Sequence, residues 1–255
     1  MPTLLYTRRS HQGEARLNQV RNNAVRTLQS HAALRLTDHI IVLDGDTLLA
    51  PDAVERHVDL HLLGHDVVVA YRVNLTQEQS NSVSAESILN AADPSLWLSS
   101  FASPDTEEAL RLRDARYRRH LSLRRMGPLS AWLIKDHKIK VLGGHHSLSA
   151  KALLAVNGYD EEYTGYGYDD DDLSRRLHSL RPRLSVAVAV REILAYHVWH
   201  PTRAPGRPTD APGFARFSTP GLPARALHGV DNPRPQPEPK VSEVSASRLN
   251  HAVPT

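Results

Sequence analysis

Eleven of the 17 prolines in this 255-residue chain fall between Pro201 and Pro254, and Pro233, Pro235, Pro237 and Pro239 alternate with other residues. Proline brings no N–H to a helix or an interior strand, so a segment this rich in it builds neither. The composition predicts a folded unit over residues 1–200 and a Pro-rich, mostly disordered tail over 201–255. The folded part is long enough to bury a core. It shows no internal repeat and alternates between helical and strand periods, as α/β proteins do.

Leu17, Val20, Ala24 and Leu28 fall on one helical face. His39-Ile40-Ile41-Val42-Leu43 then reads as a strand running into Asp44-Gly45-Asp46. Pro51 suits a first helical turn, the helix after it carries Val54, Val58 and Leu62, and Asp66–Tyr71 is the next strand. Helices are expected between Gln77 and Arg125, one of them starting at Asp105 with Glu108 three residues on. A strand over Lys138–Leu142 ends in Gly143-Gly144, and Ser149 caps a short helix closed by Gly158. A loop rich in glycine and tyrosine precedes a helix that opens on four aspartates, and strands over 184–190 and 193–198 follow.

Composition narrows the chemistry. The chain has no cysteine, which excludes disulfide scaffolds, Cys-ligated metal sites and thiol catalysis, so any metal is held by histidine and carboxylate. Its 31 Lys and Arg against 28 Asp and Glu give a net charge of +3, which demands no nucleic-acid partner. No apolar run reaches the length of a membrane span, and MPTLLYTRRS lacks the apolar stretch of a secretory signal. The reading is a cytoplasmic protein, with peripheral contact at the inner face of the membrane left open by its basic pI of 9.3.

Three groups of residues carry candidate chemistry. Asp44 and Asp46 stand where a strand gives way to a loop, the crevice position at which open α/β sheets bind ligands, and their hard oxygens suit Mg²⁺ or Mn²⁺ on a diphosphate. An acidic turn after a strand is also commonplace. Asp169 to Asp172 repel one another, and a helix N-terminus compensates them in part. Asp170 shares a face with Leu173 and Leu177, so it is directed inward, where a carboxylate can serve as a general base. His197 and His200 offer two imidazoles after a strand, a plausible pair of metal ligands or two surface histidines among 15. His57, His61 and His65, four apart, are expected on a solvated helix flank. His145-His146 is open between packing and substrate contact.

Read together, GGHHSLSAKALLAVNGYDEEYTGYGYDDDDLSRRL at residues 143–177 resembles the C-terminal signature of inverting GT-A glycosyltransferases, of the family 2 and β-1,4-galactosyltransferase type. The DGD turn is similar to that family's DxD motif, and Arg21-Asn22 to its Arg-Asn element. The resemblance spans roughly residues 15–200. It implies a Rossmann-like mixed sheet flanked by helices and transfer of a hexose, of galactose or N-acetylgalactosamine type, from a UDP-sugar to a glycan or lipid-linked glycan in polysaccharide biosynthesis.

Residue by residue, the resemblance implies Asp46, His197 and His200 on Mn²⁺ or Mg²⁺, with Asp44 nearer the nucleotide sugar. Tyr166 stands where an aromatic packs on the sugar, Asp169 where the acceptor binds, and Asp170 where the general base removes the acceptor's proton. Gly143 and Gly144 would admit the donor sugar close to the backbone. In this family a nucleotide-gripping strand-helix-strand unit precedes the Arg21 helix, and only a short segment stands there in this sequence. The expectation is an N-terminally incomplete domain that is a poor enzyme as it stands. The competing readings are a non-catalytic remnant that binds glycan or a protein partner, and a nucleotidyl- or prenyl-transferring enzyme.

Overall fold

The computed structural model describes residues 4–9, 13–31, 34–125, 140–141, 144–201 and 207–244. At its centre is a four-stranded mixed sheet in the order β2-β6-β4-β7, formed by His39–Leu43 (β2), His145–Ser149 (β6), Val67–Val69 (β4) and Val186–Val188 (β7). β6 runs antiparallel to β2 and β4, and β4 runs parallel to β7. A three-stranded sheet, ordered β3-β8-β5, is made of Thr47–Leu49 (β3), Ala195–His197 (β8) and Val73–Asn74 (β5). The uninterrupted valines of β4 are fully buried, as a strand covered on both faces requires.

The main helices are Leu17–Ser30 (α1), Ala53–Leu62 (α2) and Pro104–Arg125 (α6), with Gln77–Asn81 (α3), Ala85–Leu89 (α4) and Pro94–Ser99 (α5) as short turns between the last two. Ala150–Ala155 (α7), Asp169–Ser179 (α8) and the single turn Phe214–Phe217 (α9) follow. The α/β class expected from the sequence is the class observed.

The DGD turn links the two sheets: Asp44 follows β2 directly, and Thr47 opens β3. Three-residue β3 was not expected, because so short a strand carries no periodicity. Its pairing with β8 sets Thr47 opposite His197, and the Val198 N–H bonds the Asp46 carbonyl at 2.9 Å, so His197 is carried to the side of Asp46. The two late strands form over fewer residues than expected. Lys140 and Val141 lie outside any strand, and residues 138, 139 and 142 of that expected strand lie outside the described residues. Helix α6 starts at Pro104, one residue before Asp105, and it is the Ser103 hydroxyl that accepts the Thr106 N–H, at 3.2 Å. Ser149 caps α7 as expected, accepting from Ala152 N–H at 3.2 Å.

Two helices face inward on the opposite side from the one their apolar spacing suggests. On α1, Leu17 and Val20 are exposed, whereas Asn18, Gln19, Asn22 and Asn23 are buried. The partners of these amides explain the orientation. Asn22 pairs with the Tyr159 backbone in both directions, its Nδ2 donating to the carbonyl at 2.8 Å and its Oδ1 accepting the N–H at 2.9 Å. Gln19 donates to buried Glu161 at 3.1 Å and to the Arg234 carbonyl at 3.1 Å.

That second bond comes from the segment expected to be disordered. Residues 207–244 instead pack on the body: Ala226 and Val230 are buried, Arg216 pairs with Asp160 at 2.6 Å, and Lys240–Val244 (β9) pairs antiparallel with Leu4–Arg8 (β1). Proline donates no N–H, yet the stretch between Pro212 and Pro220 forms the single helical turn α9, and the alternating prolines Pro233 to Pro239 lie in an extended strap. Here the strap's carbonyls accept bonds from side chains, as when Arg16 reaches the Pro235 carbonyl at 3.3 Å.

Helix α2 shows the same inversion. Val54, Val58 and Leu62 are exposed, and His57 and His61, expected on a solvated flank, are buried. The reason is a polar network under the sheet. His57 Nε2 meets His145 Nε2 at 3.0 Å, His57 Nδ1 meets Ser147 Oγ at 2.7 Å, and His61 Nε2 meets the same hydroxyl at 2.7 Å. Burial pushes His57 down to about 3, helped by the neighbouring His145, His61 and His146, and burial also lowers His61 and His145.

These imidazoles are neutral in the fold and gain protons on unfolding below their ordinary value of about 6.5. The unfolded state then binds more protons, so stability falls as pH drops through 6.5 toward 3. For His57 alone the loss at pH 5, relative to pH 8, is about 2 kcal/mol. Thermal unfolding followed from pH 8 to pH 5, a range in which most carboxylates stay ionised, should show a fall in Tm that sets in near pH 7 and steepens below about 6.5. A flat Tm over that range would contradict neutral burial of the cluster.

Candidate active site

Arg21, from the middle of α1, reaches three carboxylates. Its guanidinium lies 3.3 Å from Asp169, 3.4 Å from Asp170 and 3.5 Å from Asp44, and its Cζ sits 5.0 Å from the Tyr159 ring centroid. Burial works against its charge, but Tyr159, Asp170, Asp169 and Asp44 together hold it above its ordinary value. Burial also raises Asp169, against the pull of Arg21 and of the N–H groups at the start of α8. Asp44 has a second cation in Arg72, at 2.8 Å.

Asp46 turns the other way. Its Oδ2 lies 3.3 Å from His197 Nε2 and 3.3 Å from His200 Nε2, while its Oδ1 is buried without a hydrogen-bond partner among the described residues. One ligand atom from each of the three residues lies within 4.8 Å of the others, the single such group of three among the described residues. His197 is buried and His200 half exposed. Burial, and then Arg72, lower His197 despite Asp46, which favours the neutral ring, the form that coordinates a metal.

The loop before α8 has a sharp local geometry. Gly165 and Gly167 adopt φ of +79° and +92°, and Tyr168 is itself left-handed at +67°. Glycine is the residue that takes such angles without strain. The turn leaves Tyr166 half exposed on the wall of a cavity of about 460 Å³, which Arg21, Asp44, Gly144 and Asp169 to Asp171 also line. In that wall, a Cβ on Gly144 would collide with the Arg72 side chain, so this glycine makes room for an arginine. Gly143 lies outside the described residues.

The four aspartates separate by position. Asp169 and Asp170 meet Arg21, and Asp171 pairs with Lys140 at 2.5 Å. Asp172 is fully buried between Arg175 at 2.6 Å and Arg176 at 2.7 Å, and Arg176 in turn donates to the Val156 and Gly158 carbonyls. Leu173 and Leu177 are buried, while Asp170 keeps 29% of its side chain accessible at the cavity.

The structure thus gathers Arg21, Asp44, Gly144, Tyr166, Asp169 and Asp170 at one cavity, and Asp46, His197 and His200 at one cluster on the neighbouring turn. Sequence reasoning missed Arg72 and Arg113, which line the same cavity. Arg72 had a readable signal, since it follows the apolar strand β4 at the same sheet end as the DGD turn. Arg113 had none, being one arginine among many on α6. A larger cavity of about 540 Å³, floored by Leu60, Val186 and Ile193 and rimmed by Arg56, Arg118 and Glu192, holds none of these groups. Of the side chains singled out from the sequence, Arg21, Asp44, Tyr166, Asp169 and Asp170 line the smaller one.

Residues 124–197 match the family model described as the N-terminal domain of galactosyltransferase. The match spans β6, the glycine-tyrosine loop, α8 and β8, and it supports a galactosyltransferase-type glycosyltransferase domain and, in general terms, glycosyl transfer between a sugar donor and a glycan acceptor. No curated protein matches the chain. Among the described residues no helix is long and apolar enough to cross a membrane.

The aspartates give a direct test of this division. Asp172→Asn strands a buried Arg176, and breaking a buried pair in this way costs about 3–5 kcal/mol. Asp171→Asn removes a partly exposed pair and should cost under about 1 kcal/mol. Urea unfolding of the two variants measures the difference. Equal losses would show that the acidic run acts as bulk charge.

Proposed function

We propose that the chain is a metal-dependent, inverting hexosyltransferase that moves a sugar of galactose or N-acetylgalactosamine type from a UDP-sugar to a hydroxyl of a glycan or lipid-linked glycan. The observation that carries the reading is the convergence of Asp46, His197 and His200 beside a cavity that contains a half-buried carboxylate, Asp170, held by Arg21. The donor set fits a divalent ion: two imidazole nitrogens face one carboxylate oxygen, and the second oxygen of Asp46 is buried and has no partner among the described residues. Two imidazoles with one carboxylate favour Mn²⁺ over Mg²⁺. When bound, the ion supplies positive charge that stabilises a diphosphate leaving group.

The chain's own residues do the rest. Asp170 accepts the proton of the acceptor hydroxyl as its oxygen forms the new bond to the anomeric carbon, and the electron pair of the breaking bond leaves on the diphosphate. Arg21 fixes the direction of that carboxylate and ties it to Asp44, on the donor side. Asp169 accepts a hydrogen bond from the acceptor, and the Tyr166 ring packs on a sugar face at the open side of the cavity. Inversion follows from attack opposite the leaving group, with one base and no covalent intermediate.

Mn²⁺-dependent UDP binding, followed by calorimetry, tests the metal site. His200 is half exposed, so His200→Ala should fold normally and lose metal-dependent binding by at least tenfold. Binding at full strength in that variant would remove the histidines from the site.

A further inference from the structure

Among the described residues, the candidate cavity contains one cation that the carboxylates around it do not neutralise. Arg21 and Arg72 are paired with aspartates, and Asp171 is taken by Lys140. Arg113 enters the cavity wall from α6, and its guanidinium lies 4.0 Å from the Tyr71 ring centroid, with no hydrogen-bond or ion-pair partner among the described residues. Stacking on a ring holds an arginine in place while leaving its in-plane N–H groups free to bind an anion.

Helix α6 continues the pattern. Arg111, Arg118 and Arg124 are engaged, with Glu108, with Asp114 and Glu192, and with His178. Arg116 and Arg119, which follow Arg113 at successive three-residue steps, are exposed and have no such partner among the described residues. Residues three apart on a helix are neighbours, so the three guanidinium groups form a track that starts in the cavity and winds outward. Surface arginines are usually solvated without further purpose; what sets this track apart is that its first member lines the cavity beside Asp170. Leu110, Tyr117 and Leu121 turn toward the core and leave Leu112 as the large apolar side chain exposed beside the track among the described residues, too little apolar surface for a helix lying in a lipid interface.

We infer that Arg113 recognises an anionic group on the acceptor, and that Arg116 and Arg119 bind further anionic units of the same chain as it leaves the cavity. The acceptor is thus a glycan bearing carboxylate, sulfate or phosphate, bound through planar, charge-assisted hydrogen bonds. The word acceptor rests on the glycosyltransferase reading; the anion site does not. A donor sugar carrying a carboxylate would use the same chemistry at Arg113, but it would not use Arg116 or Arg119, which lie outside the cavity lining.

The test is a binding measurement on the whole chain that needs neither metal nor turnover, so it can succeed or fail independently of the proposed reaction. A short fluorescent oligogalacturonate is titrated at low salt, beside a neutral malto-oligosaccharide of equal length, UDP-glucuronate, UDP-galactose and phosphatidylglycerol vesicles. The oligogalacturonate should bind at least tenfold more tightly than the neutral oligomer. Arg113→Gln should weaken it about tenfold, and Arg113→Lys should not restore it, because an ammonium neither stacks nor forks. Arg116→Gln with Arg119→Gln should weaken it further and flatten its salt dependence. Arg116→Gln with Arg119→Gln should keep the parent's Tm, and Arg113→Gln, which loses only its stacking on Tyr71, should lower it by no more than a few degrees. Equal affinity for charged and neutral oligomers, or binding indifferent to the substitutions, overturns the inference. So does binding to the vesicles alone, or an Arg113→Gln effect confined to UDP-glucuronate, which would move the anion to the donor.

Discussion

The Arg21 guanidinium is the contact on which the arrangement of the site depends. Asp44 arrives at the end of β2, Asp169 and Asp170 at the start of α8, and Arg21 from α1, so three distant stretches of chain meet at one cation. Without it, three carboxylates would face one cavity in a partly desolvated setting, and their repulsion would push them apart or into their protonated forms. With it, Asp170 is held toward the cavity, and Asp44 is left to share itself with Arg72. Asp46, one residue beyond the glycine, is then directed toward the histidines.

What holds Arg21 in place is the unusual inner face of α1. Its buried amides pair with the backbone at Tyr159 and Asp160, the loop that leads into the glycine-tyrosine turn and α8, so the helix and the acidic cluster are locked in register. Glu161 is the second anchor, accepting from Gln19, Asn22, Arg26 and the Arg234 N–H. The proline-rich strap closes over this network and satisfies amides that would otherwise be stranded. A segment that composition marks as a tail is therefore part of what positions the site.

The α/β class and the order of the central elements were legible in the sequence, because buried valine runs and cap residues such as Ser149 are local signals. The gathering of the DGD turn, Asp170 and the His197–His200 pair was legible only through the resemblance, since spacing cannot show that β3 and β8 pair. The faces of α1 and α2 were misread for one reason. Apolar periodicity assumes a greasy core, and here asparagine, glutamine and histidine face inward because each finds a partner from far along the chain. The strap was misread because proline content reports which hydrogen bonds a segment's own N–H groups cannot make, and says nothing of those its carbonyls accept. Arg72 and Arg113 acquire meaning only from the cavity they share.

The central claim is that Asp170 works as a positioned base while Asp171 and Asp172 hold structure. The most direct measurement is UDP release with UDP-galactose, UDP-N-acetylgalactosamine and a panel of glycan acceptors in the presence of Mn²⁺, comparing the parent protein with Asp170→Asn and reading Mn²⁺-dependent UDP affinity alongside. The account predicts that turnover falls by roughly 10² to 10⁴ while UDP affinity holds, the span expected for a lost general base. Turnover unchanged in Asp170→Asn, or lost only in step with UDP affinity, would contradict it.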